Sequence, residues 1–207
     1  MILRMDDSIF DLIDEAGTIK ELDPSFETTI RLAEIKGKFE TILKKTDEAT
    51  LDALRGPCNE TLLQKLCDEN LDKFVETLFQ AGTSEANTYR SNSVGYDKDF
   101  DFPLLKAALN GDFKILELLI KNGADISKAI SKQNETVLHC ILEKTNDDSE
   151  MIEKYQSCLS LLLGMTKLDE KLEKKRRNEV SLIVNKRDRY GNTALYYASS
   201  NCNSNFP

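Results

Sequence analysis

The chain has 207 residues, 36 acidic and 28 basic, for a formal charge of −8. At 40% hydrophobic it is too apolar for a disordered acidic tail, and its longest apolar run, residues 159–165 with Ser160 and Gly164 inside it, is far shorter than the about 20 residues of a membrane span. The acidic balance argues against a nucleic-acid backbone as the main ligand, since such binding draws on Lys and Arg to displace counterions.

Residues 1–27 carry no signal-peptide pattern, because Met1 to Met5 run straight into Asp6-Asp7. Ser8 to Ile13 predict one short capping helix. From Thr28 a unit recurs. Thr28-Thr29-Ile30-Arg31-Leu32-Ala33 is followed by Gly37, nine residues after the opening. Thr61-Leu62-Leu63-Gln64 opens a second unit that continues through Phe74, Val75 and Leu78 to Gly82. The clearest copy opens at Phe102-Pro103-Leu104-Leu105. Pro103 suits the first turn of a helix, and Gly111 and Gly123 stand where left-handed helix ends are expected. Between the glycines, Ile115, Leu116, Leu118, Leu119 and Ile120 form a wide apolar face at helical spacing. Thr136-Val137-Leu138-His139 opens a fourth unit, completed late by residues 158–163, and residues 189–198 open a fifth at Thr193. The openings at 28, 61, 102, 136 and 193 are separated by 33, 41, 34 and 57 residues. That is a base period near 33 with insertions at 89–101, 145–155 and 167–180. A helix pair of this kind cannot bury its apolar faces alone, so stacked copies are required.

Few groups suit chemistry. The cysteines at 58, 67, 140, 158 and 202 include no Cys-x-x-Cys pair and fit neither a disulfide framework nor a zinc site, which points to a reducing compartment. The single histidine, His139, belongs to the repeat pattern. No phosphate-binding glycine loop, nucleophile elbow or His-Glu-x-x-His is present. Neither catalysis nor a cofactor nor a metal is expected. The run Lys171, Lys174, Lys175, Arg176 and Arg177 interleaves with Glu170, Glu173 and Glu179, which predicts a solvated helix with internal charge pairs.

The period near 33, with Thr-x-Leu-His at 136–139 and Pro-Leu at 103–104 followed by Ala107, resembles the ankyrin-repeat family and its Thr-Pro-Leu-His-x-Ala pattern. Residues 184–195 are similar to the hairpin that joins one ankyrin repeat to the next. For His139, at the histidine of that pattern, the resemblance implies an imidazole bonded to backbone in the turn between units. The resemblance covers Thr28 to the C-terminus and implies an all-α fold. In it, residues 28–207 form an irregular solenoid of helix pairs joined by β-hairpins or loops, preceded by the segment 1–27. It further implies a non-catalytic, cytoplasmic scaffold that binds other proteins through hairpin tips and first helices. Carried onto this sequence, the tips are Asn59, Glu60, Asp99, Asp101, Asn134, Glu135, Arg189 and Tyr190. The outward positions of the first helices are Lys65, Asp68, Glu69, Lys106, Leu109, Asn110, Glu143 and Lys144. Many of these are acidic or amide, so the expected partner is a polar or basic protein segment, with no nucleic acid and no direct membrane insertion. Over the short stretch 155–163 the chain also resembles the cytosolic N-terminal ankyrin region of painless-type transient receptor potential channels, which would make it the arm of a sensory cation channel. A repeat protein that masks a transcription factor fits the acidity as well. Only twelve residues follow Leu195 and no polar capping repeat appears, so the chain is expected to be a fragment of a longer protein.

Overall fold

The computed structural model describes residues 3–22, 25–57, 60–84, 86, 102–144, 149–166 and 168–203, and within them eleven α-helices. The chain divides into two compact units, Met1–Tyr96 and Asp97–Pro207.

The first unit holds α1 (Leu3–Lys20), α2 (Phe26–Leu43), α3 (Glu48–Ala53), α4 (Leu62–Asp68) and α5 (Asp72–Gln80). Helix α1 lies along α2, α4 along α5, α1 on α4 and α2 on α5, so the unit is two stacked helix pairs. Helix α1 turns Ile9, Ile13, Ala16 and Ile19 inward, and α2 turns Ile35, Phe39 and Leu43. The Phe39 ring tilts against Phe74 of α5 at 5.3 Å. Helix α2 starts from a capping box in which the Ser25 hydroxyl accepts the Thr28 N–H and the Thr28 hydroxyl accepts the Ser25 N–H. Thr28 therefore stands in the first turn of the second helix of a pair, and the helix runs through Gly37 without a break. The residue that ends α4 in the left-handed region is Asn70, φ 55°, nine residues after Thr61. Gly111, φ 66°, stands nine after Phe102. Both close the same motif, with the next N–H reaching back to Leu66 O at 3.0 Å and to Ala107 O at 3.0 Å.

The second unit holds α6 (Pro103–Asn110), α7 (Phe113–Lys121), α8 (Val137–Lys144), α9 (Ser149–Leu163), α10 (Glu170–Ile183) and α11 (Ala194–Asn203). First helices stack on one another, α6 on α8 and α8 on α11, and second helices stack alongside, α7 on α9. Pro103 occupies the start of α6, and the Asp112 carboxylate caps α7 by accepting the Ile115 N–H at 3.0 Å. Nine residues make a marginal helix in isolation. Burial of Ile115, Leu116, Leu119 and Ile120, at about 1.5–3 kcal/mol per fully buried side chain, supplies what the backbone lacks.

Helix α10 departs from the expectation of a solvated insertion. Lys171, Lys174 and Arg177 are exposed, but Arg176 is 1% exposed. Its guanidinium donates to the carbonyls of Leu161 at 2.8 Å and Thr166 at 3.3 Å, at the C-terminal end of α9. Lys175 donates to the carbonyls of Gly123 at 3.1 Å and Ala124 at 3.3 Å, just past α7, and Glu179 accepts the Ile126 N–H at 3.0 Å. The inserted helix thus straps the C-terminal ends of two neighbouring second helices, where partial negative charge favours cations. Among the described residues no helix is long and apolar enough to cross a membrane.

Candidate protein-binding surface

Among the described residues of the second unit, two hairpins precede first helices. Isolated antiparallel bridges join Ile130 to Thr136 and Arg187 to Thr193, at an offset of 57 residues. In each, the first N–H after the bridge bonds the carbonyl four residues on: Ser131 to Glu135 and Asp188 to Asn192, both at 2.9 Å. The same bond, also 2.9 Å, links Gly56 to Glu60 in the first unit. Tight reversal at the tip puts Asn134 at φ 63° and Gly191 at φ 84°. Each tip is held by one side chain. The Ser131 hydroxyl accepts the N–H groups of Gln133 and Glu135, both at 3.1 Å. The Asp188 carboxylate accepts those of Tyr190 at 2.8 Å and Asn192 at 2.9 Å.

The two hairpins are locked together. The Arg189 N–H donates to the Gln133 carbonyl at 2.8 Å, its guanidinium donates to the Gln133 side chain, and the Asn134 amide donates to the Arg187 carbonyl. His139 sits beneath. Its Nδ1 accepts the Thr136 N–H at 3.2 Å, which leaves Nε2–H to donate to the Asn192 carbonyl at 3.2 Å. The expected turn role of this histidine is thereby realised, and one repeat is tied to the next through it. Tyr197 of α11 meets the imidazole edge-on at 5.9 Å and donates its hydroxyl to Asp188 at 2.6 Å.

Electrostatics follow from this packing. Burial opposes the Asp188 charge, but the Tyr197 hydroxyl and the N–H groups of Asn192 and Tyr190 outweigh it and hold the carboxyl below its ordinary range. Burial and the neighbouring Asp188 push the Tyr197 phenol up to about 12. Burial also raises the Glu135 carboxyl, and the nearby charge of Glu143 adds to the effect although the Ser131 hydroxyl opposes it. The buried thiols of Cys140 and Cys158 are pushed up as well, the latter to about 12, so neither is a ready nucleophile. Among the described residues no cluster could hold a metal ion.

The expected contact residues distribute unevenly. Asn59, Asp99 and Asp101 lie outside the described residues. Glu60 is 5% exposed, and its carboxyl occupies the space beside Gly56 where a Cβ would stand. Lys65 is held between Asp14 of α1 at 2.5 Å and Glu69 at 3.0 Å. Burial works against its ammonium, yet these two carboxylates raise its pKa above the ordinary lysine value. Glu60, Lys65 and Glu69 thus serve the packing of their own unit, and Asp68 beside them is half-buried. In the second unit Lys106, Leu109, Asn110, Glu135 and Lys144 are half-buried, while Asn134, Glu143, Arg189 and Tyr190 are exposed. The Arg189 guanidinium lies 4.7 Å over the Tyr190 ring. The hairpin contacts bring Asn134, Glu135, Arg189 and Tyr190 together. The residues that hold them there, Ser131, Gln133, Asp188 and Tyr197, are not among the expected set, although the 57-residue offset aligns Ser131 with Asp188 in the sequence.

A family model for ankyrin repeats in three copies matches residues 65–206. Among curated proteins none matches the chain. Stacked first and second helices, hairpins locked edge to edge by a histidine at the Thr-x-Leu-His position, and a family match over more than half of the length agree: the chain belongs to the ankyrin-repeat family.

Proposed function

We propose that the chain is a non-catalytic scaffold of a reducing, cytoplasmic compartment that recruits a protein partner through the hairpins and first helices of its second unit. Ankyrin repeats are in general protein-interaction modules. The observation that carries the reading is the pre-organised tip pair, in which Tyr190, 67% exposed, and Arg189 stack on each other above a hairpin with little freedom left to lose on binding. Rigid aromatic and arginine side chains are the residue types that dominate binding energy at interfaces. Around them Asn134, Glu135, Glu143 and Lys144 supply a polar rim, with Lys106, Leu109 and Asn110 on the preceding first helix. The partner segment is polar or basic where it meets Glu135 and Glu143.

A photo-reactive amino acid placed at Tyr190 should crosslink one discrete partner in the protein's own cells, and the same label at Glu153, exposed on α9, should not. Once that partner is in hand, the double substitution Arg189→Glu with Tyr190→Ser should weaken its affinity at least about tenfold, equivalent to 1.4 kcal/mol. Equal crosslinking from both positions would refute the assignment.

A further inference from the structure

The whole formal charge of the chain resides in its first unit. Residues 1–96 carry 19 carboxylates against 11 cations, a balance of −8, whereas residues 97–207 carry 17 of each. Within residues 3–43, the first helix pair, the count is ten carboxylates to five cations. This pair lies outside the span matched by the family model, residues 65–206.

Helix α2 is apolar on two faces. Ile35, Phe39 and Leu43 enter the core. On the opposite face Phe26, Ile30, Ala33 and Gly37, spaced four, three and four apart, are all exposed, Phe26 by 83% and Ile30 by 44%. That spacing is the seam by which one helix packs on another. A Cβ built on Gly37 would meet no atom within 4 Å. Beside it runs an open groove of about 730 Å³, mostly apolar, lined by Leu12 of α1 and by Glu34, Gly37, Lys38, Thr41 and Ile42 of α2. Glycine in the middle of an 18-residue helix weakens that helix, and at this position it leaves room for a side chain from outside.

We infer that this groove is a docking site for a basic amphipathic helix of a partner protein, which lays its apolar face along Phe26, Ile30 and Ala33 and seats one bulky side chain against Gly37. Helix-in-groove recognition reads anchors at this spacing, and charge complementarity selects the sign of the flanks. Asp11, Glu27 and Glu34 are exposed along the two helices. Arg31 is already paired with Glu15 at 3.3 Å, and Lys38 in the groove lining is a charge opposed to a basic ligand. The groove is built from residues of the first unit and the Arg189–Tyr190 surface from residues of the second, so either can fail without the other.

The test is a fluorescence-anisotropy titration of the intact chain with a labelled Leu/Lys amphipathic peptide matched to the 18 residues of α2, beside its Leu/Glu counterpart. The Lys peptide should bind, lose affinity with added salt, and bind at least about tenfold more tightly than the Glu peptide. Gly37→Leu fills the groove while raising helix propensity, so it should abolish binding with thermal stability unchanged or increased, and Phe26→Asp should weaken binding. Unchanged affinity in Gly37→Leu, or equal binding of the two peptides, overturns the proposal. So does a Gly37-dependent dimer seen by sedimentation without peptide, which would make a second copy the occupant.

Discussion

Replacing Asp188 by alanine tests how the last hairpin is held. The side chain is 5% exposed and accepts three hydrogen bonds, from the N–H groups of Tyr190 and Asn192 and from the Tyr197 hydroxyl at 2.6 Å. The hairpin is a thin layer, with Tyr190 exposed and Asn192 half-buried, so water replaces much of what the two N–H groups lose. Counting those at about 0.5 kcal/mol each and the charged bond from Tyr197 at about 1.5 kcal/mol gives a loss of roughly 2.5 kcal/mol. Serine is the informative comparison, because Ser131 holds the preceding hairpin with a hydroxyl in the same place. Asp188→Ser should keep both backbone bonds, lose only Tyr197 and cost about 1.5 kcal/mol. Urea unfolding followed by circular dichroism reads both. The pH dependence supplies the sign. The folded carboxyl is held below its ordinary value, so its contribution is complete above the unfolded value of about 3.9 and is lost as pH falls through the lower folded one. The difference between wild type and Asp188→Ala should therefore shrink below about pH 4. Alanine and serine costing the same, or neither departing from wild type by more than about 0.5 kcal/mol, would refute this account of the hairpin.

Two further outcomes follow from the same geometry. Arg176→Ala should destabilise the second unit by about 2–4 kcal/mol, because it strips the carbonyls of Leu161 and Thr166 of their donor and leaves a cavity. Arg176→Met, which keeps the apolar stem and removes a buried charge, should cost less than half as much by chemical denaturation. Glu135→Gln should raise the melting temperature at pH 7, because burial raises the folded pKa of this carboxyl and its ionised form opposes folding there. The gain should fade as pH falls through the unfolded value of about 4.3 and vanish near about pH 3, where the carboxyl is protonated in both states.

What the sequence made readable was local. The glycines at 82, 111 and 123 stand at left-handed helix ends, φ 97°, 66° and 94°, because only that residue takes the conformation freely. Asn70 does the same work in the unit that opens at Thr61 and was missed, since asparagine is the rarer choice at that position. At the N-terminus a different local signal misled. A threonine in the first turn of α2 resembles the threonine before α4, although Ser25 is the true cap, and only the packing of α1 on α4 and α2 on α5 assigns α2 as the second member of its pair.

The proposed binding surface was legible to the extent that its residues follow the repeat, and illegible where a bonding partner lies far along the chain. Lys65 occupies a regular outward position of a first helix, but Asp14 reaches it from 51 residues upstream. Arg176 lies in an interleaved charge run that reads as solvated, yet its acceptor, the Leu161 carbonyl, is a backbone group with no side-chain signature. In both cases a cation that would otherwise be free to meet a ligand is consumed inside its unit, by Asp14 of α1 in one and by carbonyls at the end of α9 in the other. At the hairpin tips side chains also bond one another across neighbouring repeats, Arg189 to Gln133 and Asn134 to the Arg187 carbonyl, yet Asn134, Arg189 and Tyr190 stay exposed. The surface proposed for a partner is therefore the one built from tips, and Tyr190 and Arg189 are where its loss should be felt first.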